Sequence, residues 1–223
     1  MADDHLPRIE VLPHGPYEVT GDVPLHPRRA VTSPTGRPIT WQTDEAIDHE
    51  ATYYLCRCGA SATKPFCDGS HGFELFDGTE NAPTDTHDER AVYHHGPGTT
   101  VVQDSVLCHH AKFCFSEVHG WIDMVADTDD PSIQRELIAM IEHCPSGALA
   151  QMFAGEVVEP DLPAAIAPIE DGPLAVTGGI PIERADGEPF ETRNRVSLCR
   201  CGASDRKPLC DGSHLETNFC ASP

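Results

Sequence analysis

Hydrophobic residues along this chain fall into short runs that glycine and proline interrupt, a pattern typical of short β-strands. Three runs lie near each end of the chain, and the last run of each group leads directly into a cysteine-rich turn. These runs predict six strands, at Tyr17–Val19, Val23–Leu25, Tyr53–Leu55, Leu174–Val176, Ile180–Ile182 and Val196–Leu198.

The middle of the chain has a different pattern. Asp130 can cap a helix that begins at Pro131, and apolar residues then recur at helical spacing as far as Ile141. The helix should end before Cys144, which proline follows. Flanking strands are predicted at Val101–Val106 and Ala148–Phe153.

An internal repeat organises the sequence. Residues 56–71 read CRCGASATKPFCDGSH and residues 199–214 read CRCGASDRKPLCDGSH, identical at thirteen of sixteen positions. A weaker match precedes each copy, GPYEVTGDVPL at 15–25 and GPLAVTGGIPI at 172–182. The chain is therefore predicted to be α+β, with two β-rich modules around an α+β insert. The predicted division is 1–80, a linker at 81–98, the insert at 99–157, a Pro/Ala linker at 158–171, and 172–223.

Composition favours small modules over one large core. Hydrophobic residues make up 39% and aromatic residues 6%, beside 20 Pro and 18 Gly, so metal–ligand bonds would have to supply folding energy. The residues after Met1 are acidic and polar, and no apolar run reaches the roughly 18 residues of a membrane span. We therefore expect a soluble cytoplasmic chain, in which ten reduced Cys indicate metal or redox chemistry.

The net charge of −21 argues against nucleic acid or an anionic membrane as a partner. Residues 99–157 contain nine Asp or Glu against Lys112 and Arg135. Such a segment would suit a basic docking partner, although solubility or adaptation to a salty cell interior would also explain the charge.

Each repeat contains three Cys and one His at identical offsets. The C-x-C step places two thiolates on one metal, and the C-D-G-S-H step places a thiolate and an imidazole on another metal or on the far side of the same one. This arrangement suits a 2Fe–2S cluster. A structural zinc site of Cys₃His type has the same ligands and stays open as an alternative. The predicted ligands are Cys56, Cys58, Cys67 and His71 in the first copy, and Cys199, Cys201, Cys210 and His214 in the second.

Both segments resemble the CDGSH-type iron–sulfur domain of mitoNEET-like proteins, whose signature is C-x-C, Ser or Thr, and then Pro-x-Cys-Asp-Gly-Ser/Ala/Thr-His. The resemblance implies a 2Fe–2S cluster on three Cys and one His, in a mostly β fold of two intertwined protomers. Tandem copies can make that pairing internally, so we expect a monomeric intramolecular pseudo-dimer without the membrane anchor of mitoNEET. The non-ligand positions of the signature are filled by Ser61, Pro65 and Asp68, and by Ser204, Pro208 and Asp211.

The single His ligand of each copy should raise the reduction potential relative to an all-Cys site, because a neutral imidazole lowers the negative charge of the cluster. Protonation of that His would compete with iron binding, which predicts proton-coupled redox and acid-labile clusters. Lys64 and Lys207 would either favour the reduced cluster or be plain surface charges.

A third site is predicted in the insert at Cys108, Cys114 and Cys144, followed by CPSGAL. This pattern resembles the divergent single-cluster ferredoxin domain, which makes the insert a ferredoxin-like module. Ala111 occupies the place of the usual middle ligand, so the cluster is either 3Fe–4S or a 4Fe–4S with His109 or His110 as fourth ligand. We expect His110, because the related domain often has His two residues after its first Cys; both could instead be plain loop residues.

The remaining donors fit no trusted pattern: Cys220 is taken as a spare thiol, and His87, His94, His95 and His119 as linker and surface residues. No nucleophile–base pair, phosphate loop or dinucleotide fingerprint occurs, so the chain is predicted to be an electron carrier and not an enzyme, with a redox partner protein. The alternatives are a carrier that donates 2Fe–2S clusters to an apo-protein acceptor, and a structural zinc protein.

Overall fold

A computed structural model describes residues 6–222, and the acidic and polar residues directly after Met1, from which a cytoplasmic chain is expected, lie outside that range. Its secondary structure consists largely of short strands, as the Gly- and Pro-interrupted pattern predicts. The strands of the described range are β1 (Arg8–Val11), β2 (Tyr17–Thr20), β3 (Arg28–Thr32), β4 (Pro38–Thr43), β5 (Tyr53–Leu55), β6 (Val92–His95), β7 (Thr100–Gln103), β8 (Leu149–Phe153), β9 (Glu156–Val158), β10 (Ala165–Pro168), β11 (Leu174–Thr177), β12 (Ile182–Glu183) and β13 (Arg195–Leu198). The helices are α1 (His87–Arg90), α2 (Trp121–Met124) and α3 (Pro131–Glu142).

The strands form small sheets in which neighbours are mostly antiparallel. The first repeat supplies β1, β2 and β5 to a sheet of order β12-β1-β2-β5, and the second supplies β10-β11-β13. β3 and β4 make a separate hairpin, and the insert contains β6-β7-β8-β9. The molecule is therefore a β-rich α+β protein.

The two repeats exchange short segments. In β12, Ile182 of the second repeat pairs in parallel with Ile9 of β1 in the first. In the reverse direction, Leu25 of the first repeat makes a parallel bridge to Ile166 of β10 in the second. Apolar residues of both repeats consequently lie in one hydrophobic core.

A reciprocal backbone contact joins the repeats at the centre, where Cys58 bridges Cys201. Gly59 and Gly202 follow these cysteines with φ of 81° and 83°. A Cβ added at Gly59 would lie 2.5 Å from the carbonyl oxygen of Cys201, and one added at Gly202 would lie 2.5 Å from that of Cys58. Glycine is required at both positions, by the backbone angle and by the close approach.

The insert packs α3 and α2 against its sheet around a second apolar cluster that includes Val101, Leu137 and Ile141. The predicted cap is confirmed, because Asp130 accepts the Ser132 N–H at 2.7 Å. The predicted strand Val101–Val106 ends early: Asp104 accepts the Val106 N–H at 3.0 Å and starts a turn instead.

Both predicted linkers contain strands, which corrects the domain picture. β10 lies in the 158–171 segment and is buried along its whole length, and β6 lies in the 81–98 segment. β10 was not predicted, because its alanine and proline residues do not give the pattern of a strand, although all four of its residues are buried. The β3–β4 hairpin was also missed, because its residues are largely exposed and show no apolar alternation.

Of the helices in the part of the chain that the structure covers, none has the length and apolar character needed to cross a membrane.

Candidate metal centres

In the first repeat the four predicted donors lie as two pairs. The Sγ atoms of Cys56 and Cys58 are 3.8 Å apart, and the Cys67 Sγ is 3.4 Å from the His71 Nδ1. Two thiolates on one tetrahedral metal lie about 3.8 Å apart if each metal–sulfur bond is about 2.3 Å. The C-x-C pair therefore already has the spacing needed to hold one metal.

The second repeat reproduces this arrangement. The Sγ atoms of Cys199 and Cys201 are 3.6 Å apart, and the Cys210 Sγ is 3.4 Å from the His214 Nδ1. Within residues 6–222, no three His, Cys, Asp or Glu side chains are grouped closely enough for a single metal ion. In each repeat the donors are thus two separate pairs, and do not converge on one point.

The non-ligand residues of the motif build the turn that holds the donors. The Ser61 hydroxyl donates to the Phe66 carbonyl at 2.7 Å, and Ser204 donates to Leu209 at the same distance. Asp68 accepts the Ala62 N–H at 2.7 Å, and a hydrogen bond from Ser70 holds its pKa well below the usual range. The serine bonds close the loop between the second and third Cys of each copy, and the bonds of Asp68 join that loop to the C-D-G-S-H step.

Local hydrogen bonds favour thiolate at one sulfur of each C-x-C pair. The pKa of Cys56 is lowered, chiefly because the Cys58 thiol donates to it, and the pKa of Cys199 is lowered in the same way by Cys201. The same bonds raise the pKa of the donating thiols Cys58 and Cys201, and burial raises the pKa of Cys67 and Cys210. The backbone N–H of Gly69 lies 3.4 Å from the Cys67 Sγ. A deprotonated sulfur is the form that binds iron.

The predicted donors of the insert line a cavity of about 300 Å³, among them Cys108, Cys114 and Cys144. Cys108 and Cys114 lie at the two ends of a loop after β7, and Cys144 follows α3. All three thiols are partly buried. The structure brings together the three cysteines that the sequence indicated.

His109 and His110 both line this cavity, but they differ in environment. His109 is buried, and within the described residues neither of its ring nitrogens has a hydrogen-bond partner. Burial lowers its pKa to about 3, so the ring is neutral and free to bind a metal. His110 is exposed, and its ring packs against Gly212 in the second repeat.

The loop between Cys108 and Cys114 also reaches the second repeat. The His109 and His214 ring centroids are 6.1 Å apart. The central cavity and the second Cys/His site are therefore neighbours, separated by one imidazole.

A scan against protein families matches residues 14–72 and 171–215 to the iron-binding zinc finger of CDGSH type. Residues 94–152 match the divergent 4Fe-4S mono-cluster family. The chain therefore contains two segments of the CDGSH family. It is an iron–sulfur protein with two CDGSH segments and an inserted mono-cluster domain, as the repeat and its insert predicted. Searches of curated proteins and of solved structures found no match.

Two buried arginines of the CDGSH segments escaped the sequence reasoning. Arg57 and Arg200 stand between the cysteines of each C-x-C step, and each is 1% exposed. Arg57 donates to the Gly78 carbonyl at 2.8 Å and lies 3.8 Å from Glu80, whereas Arg200 donates to the carbonyls of Gly172 and Ile169. The sequence did contain one indication of their importance, because both arginines occupy the same position of the repeat.

Lys64 and Lys207 have one role in common. Their ammonium groups donate to the carbonyls of Ser61 and Ser204, at 2.6 Å and 2.7 Å. Each lysine therefore closes its own turn, which neither of the roles weighed from sequence had included.

His87 is a correction to the prediction of linker and surface histidines. It is 4% exposed, and its Nδ1 lies 3.3 Å from the Asp104 carboxylate, which also accepts from Arg90 at 2.8 Å. Burial opposes ionisation of Asp104, but these hydrogen bonds outweigh it and lower its pKa to about 2. Asp104 thereby anchors the turn that leads to Cys108.

Arg195 fixes the insert to the second CDGSH segment. Its guanidinium donates to the carbonyls of Ile141 and Cys144, both at 2.8 Å, and to Glu159 at 2.6 Å. The first two carbonyls are at the C-terminal end of α3, where a cation is stabilised by the helix dipole. The position of Cys144 depends on this buried side chain.

Proposed function

We propose that this CDGSH protein carries electrons, with a 2Fe–2S cluster in each CDGSH segment and a 3Fe–4S or 4Fe–4S cluster in the insert. The observation that supports this most is the contact between neighbouring donor sets. Cys58 bridges Cys201 across the two segments, and the His109 ring lies 6.1 Å from the His214 ring. Closely spaced redox centres in one chain suit electron transfer.

The donors fit the proposed groups. In each CDGSH segment a pair of thiolates and a separate thiolate–imidazole pair match the two irons of a 2Fe–2S cluster, one pair for each iron. The central cavity adds three thiols and the single ring of His109, whose two nitrogens have no hydrogen-bond partner among residues 6–222. We propose as ligands Cys56, Cys58, Cys67, His71, Cys199, Cys201, Cys210, His214, Cys108, Cys114 and Cys144.

We further propose His109 as the fourth donor of the central site, in place of the expected His110. Its burial and its unsatisfied nitrogens support this choice, because a buried imidazole without a partner is costly unless it binds something. The experiment is to purify His109→Ala and His110→Ala anaerobically and to compare their iron content and EPR spectra. Conversion of the central cluster to a 3Fe form in His109→Ala alone would support the assignment.

A bound cluster would supply one-electron redox chemistry, and the chain's own residues would set its potential. Arg57 and Arg200 are buried cations, and Arg200 interacts with the sulfurs of both Cys56 and Cys201, which favours additional negative charge there. The segment exchange between the repeats supports the proposal that they form an internal pseudo-dimer, and hence that one chain is sufficient.

Metal and acid-labile sulfide analysis of anaerobically purified protein tests the clusters. About seven or eight irons per chain, with comparable sulfide, is the expected result. Zinc without sulfide would support the structural alternative. Electron transfer is then tested by partial reduction, with EPR recording the electron at each of the three sites.

Cluster transfer is the second candidate, and the openness of the first segment favours it. Cys67 and His71 are partly exposed, so an acceptor could reach them. Incubation with an apo-ferredoxin separates the two functions. Net loss of the donor's clusters means transfer, whereas reduction of a pre-loaded ferredoxin without loss means electron transfer.

A further inference from the structure

The turn after His71 exposes two large apolar side chains. Phe73 and Leu75 are each 90% exposed, more than any other large apolar residue among those described. The turn is closed by backbone hydrogen bonds from Glu74 to Ser70 and from Phe76 to His71. Both side chains are therefore held on a compact turn beside a proposed cluster ligand.

The second repeat shows that the fold does not require these residues. The equivalent turn is closed by the same bonds, from Thr217 to Ser213 and from Phe219 to His214. Its residues at the positions of Phe73 and Leu75 are Glu216 and Asn218, and both are exposed. Leu215, the exposed large apolar residue of that turn, is 54% exposed and lines the cavity beside His109 and His110.

Leu75 is unfavourable in two respects. It is exposed, and its φ of 49° lies in the left-handed region, which a bulky side chain rarely adopts. Asn218 has nearly the same φ, 51°, and asparagine tolerates that conformation well. A leucine that is both strained and exposed, at a position where asparagine would fit, indicates selection for a contact outside the chain.

Charge indicates the kind of partner. The exposed carboxylates Asp68, Glu74 and Asp77 lie within a few residues of the apolar pair. Lys64, the nearest cation that precedes them along the chain, is held by the Ser61 carbonyl. An apolar centre with an acidic border is complementary to an apolar surface bordered by Lys and Arg.

We propose that Phe73 and Leu75 form the docking site of a basic redox-partner protein, which would contact this chain at the first CDGSH segment and not at the second. This inference rests on the proposed function. At the second segment the same approach is occupied by the insert, because Gly212 lies against His109 and His110. Electrons would then enter or leave the protein at the first CDGSH site, whereas the second CDGSH site lies beside the central site.

The experiment uses a mitochondrial-type cytochrome c as probe, a basic haem protein whose apolar haem edge is surrounded by lysines. Binding is measured by calorimetry at low ionic strength, with both proteins oxidised so that no electron moves. The test variant is Phe73→Glu/Leu75→Asn, which gives the first turn the residues of the second. The control is Phe153→Glu, which adds the same charge at another exposed position.

We expect the test variant to bind about tenfold or more weakly, as for loss of a central apolar contact, although its added negative charge alone would strengthen binding. The control should bind as tightly as the parent or more tightly. Unchanged or tighter binding by the test variant, or no binding by the parent, would overturn the proposal. A dimeric parent whose test variant sediments as a monomer would also overturn the proposal, because the face would then be assigned to a second copy of the chain.

Iron, sulfide and visible spectra of the same samples keep the two proposals separate. If the clusters are absent while the variant still weakens binding, the proposed function fails and the docking site stands. If the clusters are present, and cytochrome c is reduced and bound equally by parent and variant, the docking site fails and the proposed function stands.

Discussion

The segments at 56–71 and 199–214 share most residues and the same internal hydrogen bonds, yet Cys67 and His71 are partly exposed where Cys210 and His214 are buried. The difference comes from their neighbours. In the described structure a Cβ at Gly69 would meet no atom within 4 Å, whereas one at Gly212 would lie 2.8 Å from the His110 ring. The motif sets the arrangement of the donors, and the insert determines which copy solvent can reach.

The largest effect should follow from breaking the join between the insert and the second copy. Arg195→Thr gives this position the residue that the first copy has at Thr52, and leaves Glu159 and four backbone carbonyls without their cation. We expect a loss of about 3 kcal/mol in the free energy of unfolding. Denaturant unfolding measures it.

The control for this variant is Arg193→Thr, since the ion pair of Arg193 with Glu191 is partly exposed, at 3.4 Å. That change should cost less than about 1 kcal/mol. Equal losses in the two variants would mean that Arg195 is not the join.

The next largest effect should follow from changing Asp104, which anchors the turn that leads to Cys108. The pKa of Asp104 is about 2, below its unfolded value of about 3.9, so its contribution is fully present above about pH 4 and is lost as the pH falls toward 2. Asp104→Asn should therefore lower stability by about 2 kcal/mol at pH 7. The difference between parent and variant, from thermal unfolding at several pH values, should shrink below pH 4; a constant difference would contradict the assignment.

Removal of iron by a chelator should separate the two copies kinetically. We expect the first site to release iron about tenfold faster than the second, equivalent to about 1.4 kcal/mol in activation free energy, because its Cys and His are more accessible. The part of the cluster absorbance that belongs to the two CDGSH sites should decay in two phases. The single-site variants Cys67→Ser and Cys210→Ser identify which phase belongs to which site, and one common rate would disprove the difference.

The smallest effect concerns the reduction potential. Glu80 lies 3.8 Å from Arg57, whereas Arg200 has no ion pair within residues 6–222. Glu80→Gln should remove the negative charge that offsets Arg57. We expect this to raise the reduction potential of the first site, toward that of the second, by tens of millivolts. A redox titration followed by EPR measures this shift, and Asp77→Asn, an exposed carboxylate nearby, should change the potential less.

Much of the site was predictable because metal ligands must recur at fixed offsets, and the repeat shows those offsets twice. The helix Pro131–Glu142 was predictable from its cap and its spacing. The exposure of His71 and the burial of His109 were not, since both depend on contacts between distant segments. Arg57, Arg195 and Asp104 were missed for a related reason, because a charged residue shows no sign in sequence that it will be buried.

The segment exchange between the repeats also bears on synthesis of the chain. β1 has its outer edge covered only when Ile182 has been made, well over a hundred residues later. At ordinary ribosomal rates this takes roughly 10 to 30 s, during which the nascent chain presents an unpaired strand edge. A cell that makes this protein therefore has to protect a half-finished sheet, and expression yield should depend on the chaperones available during translation.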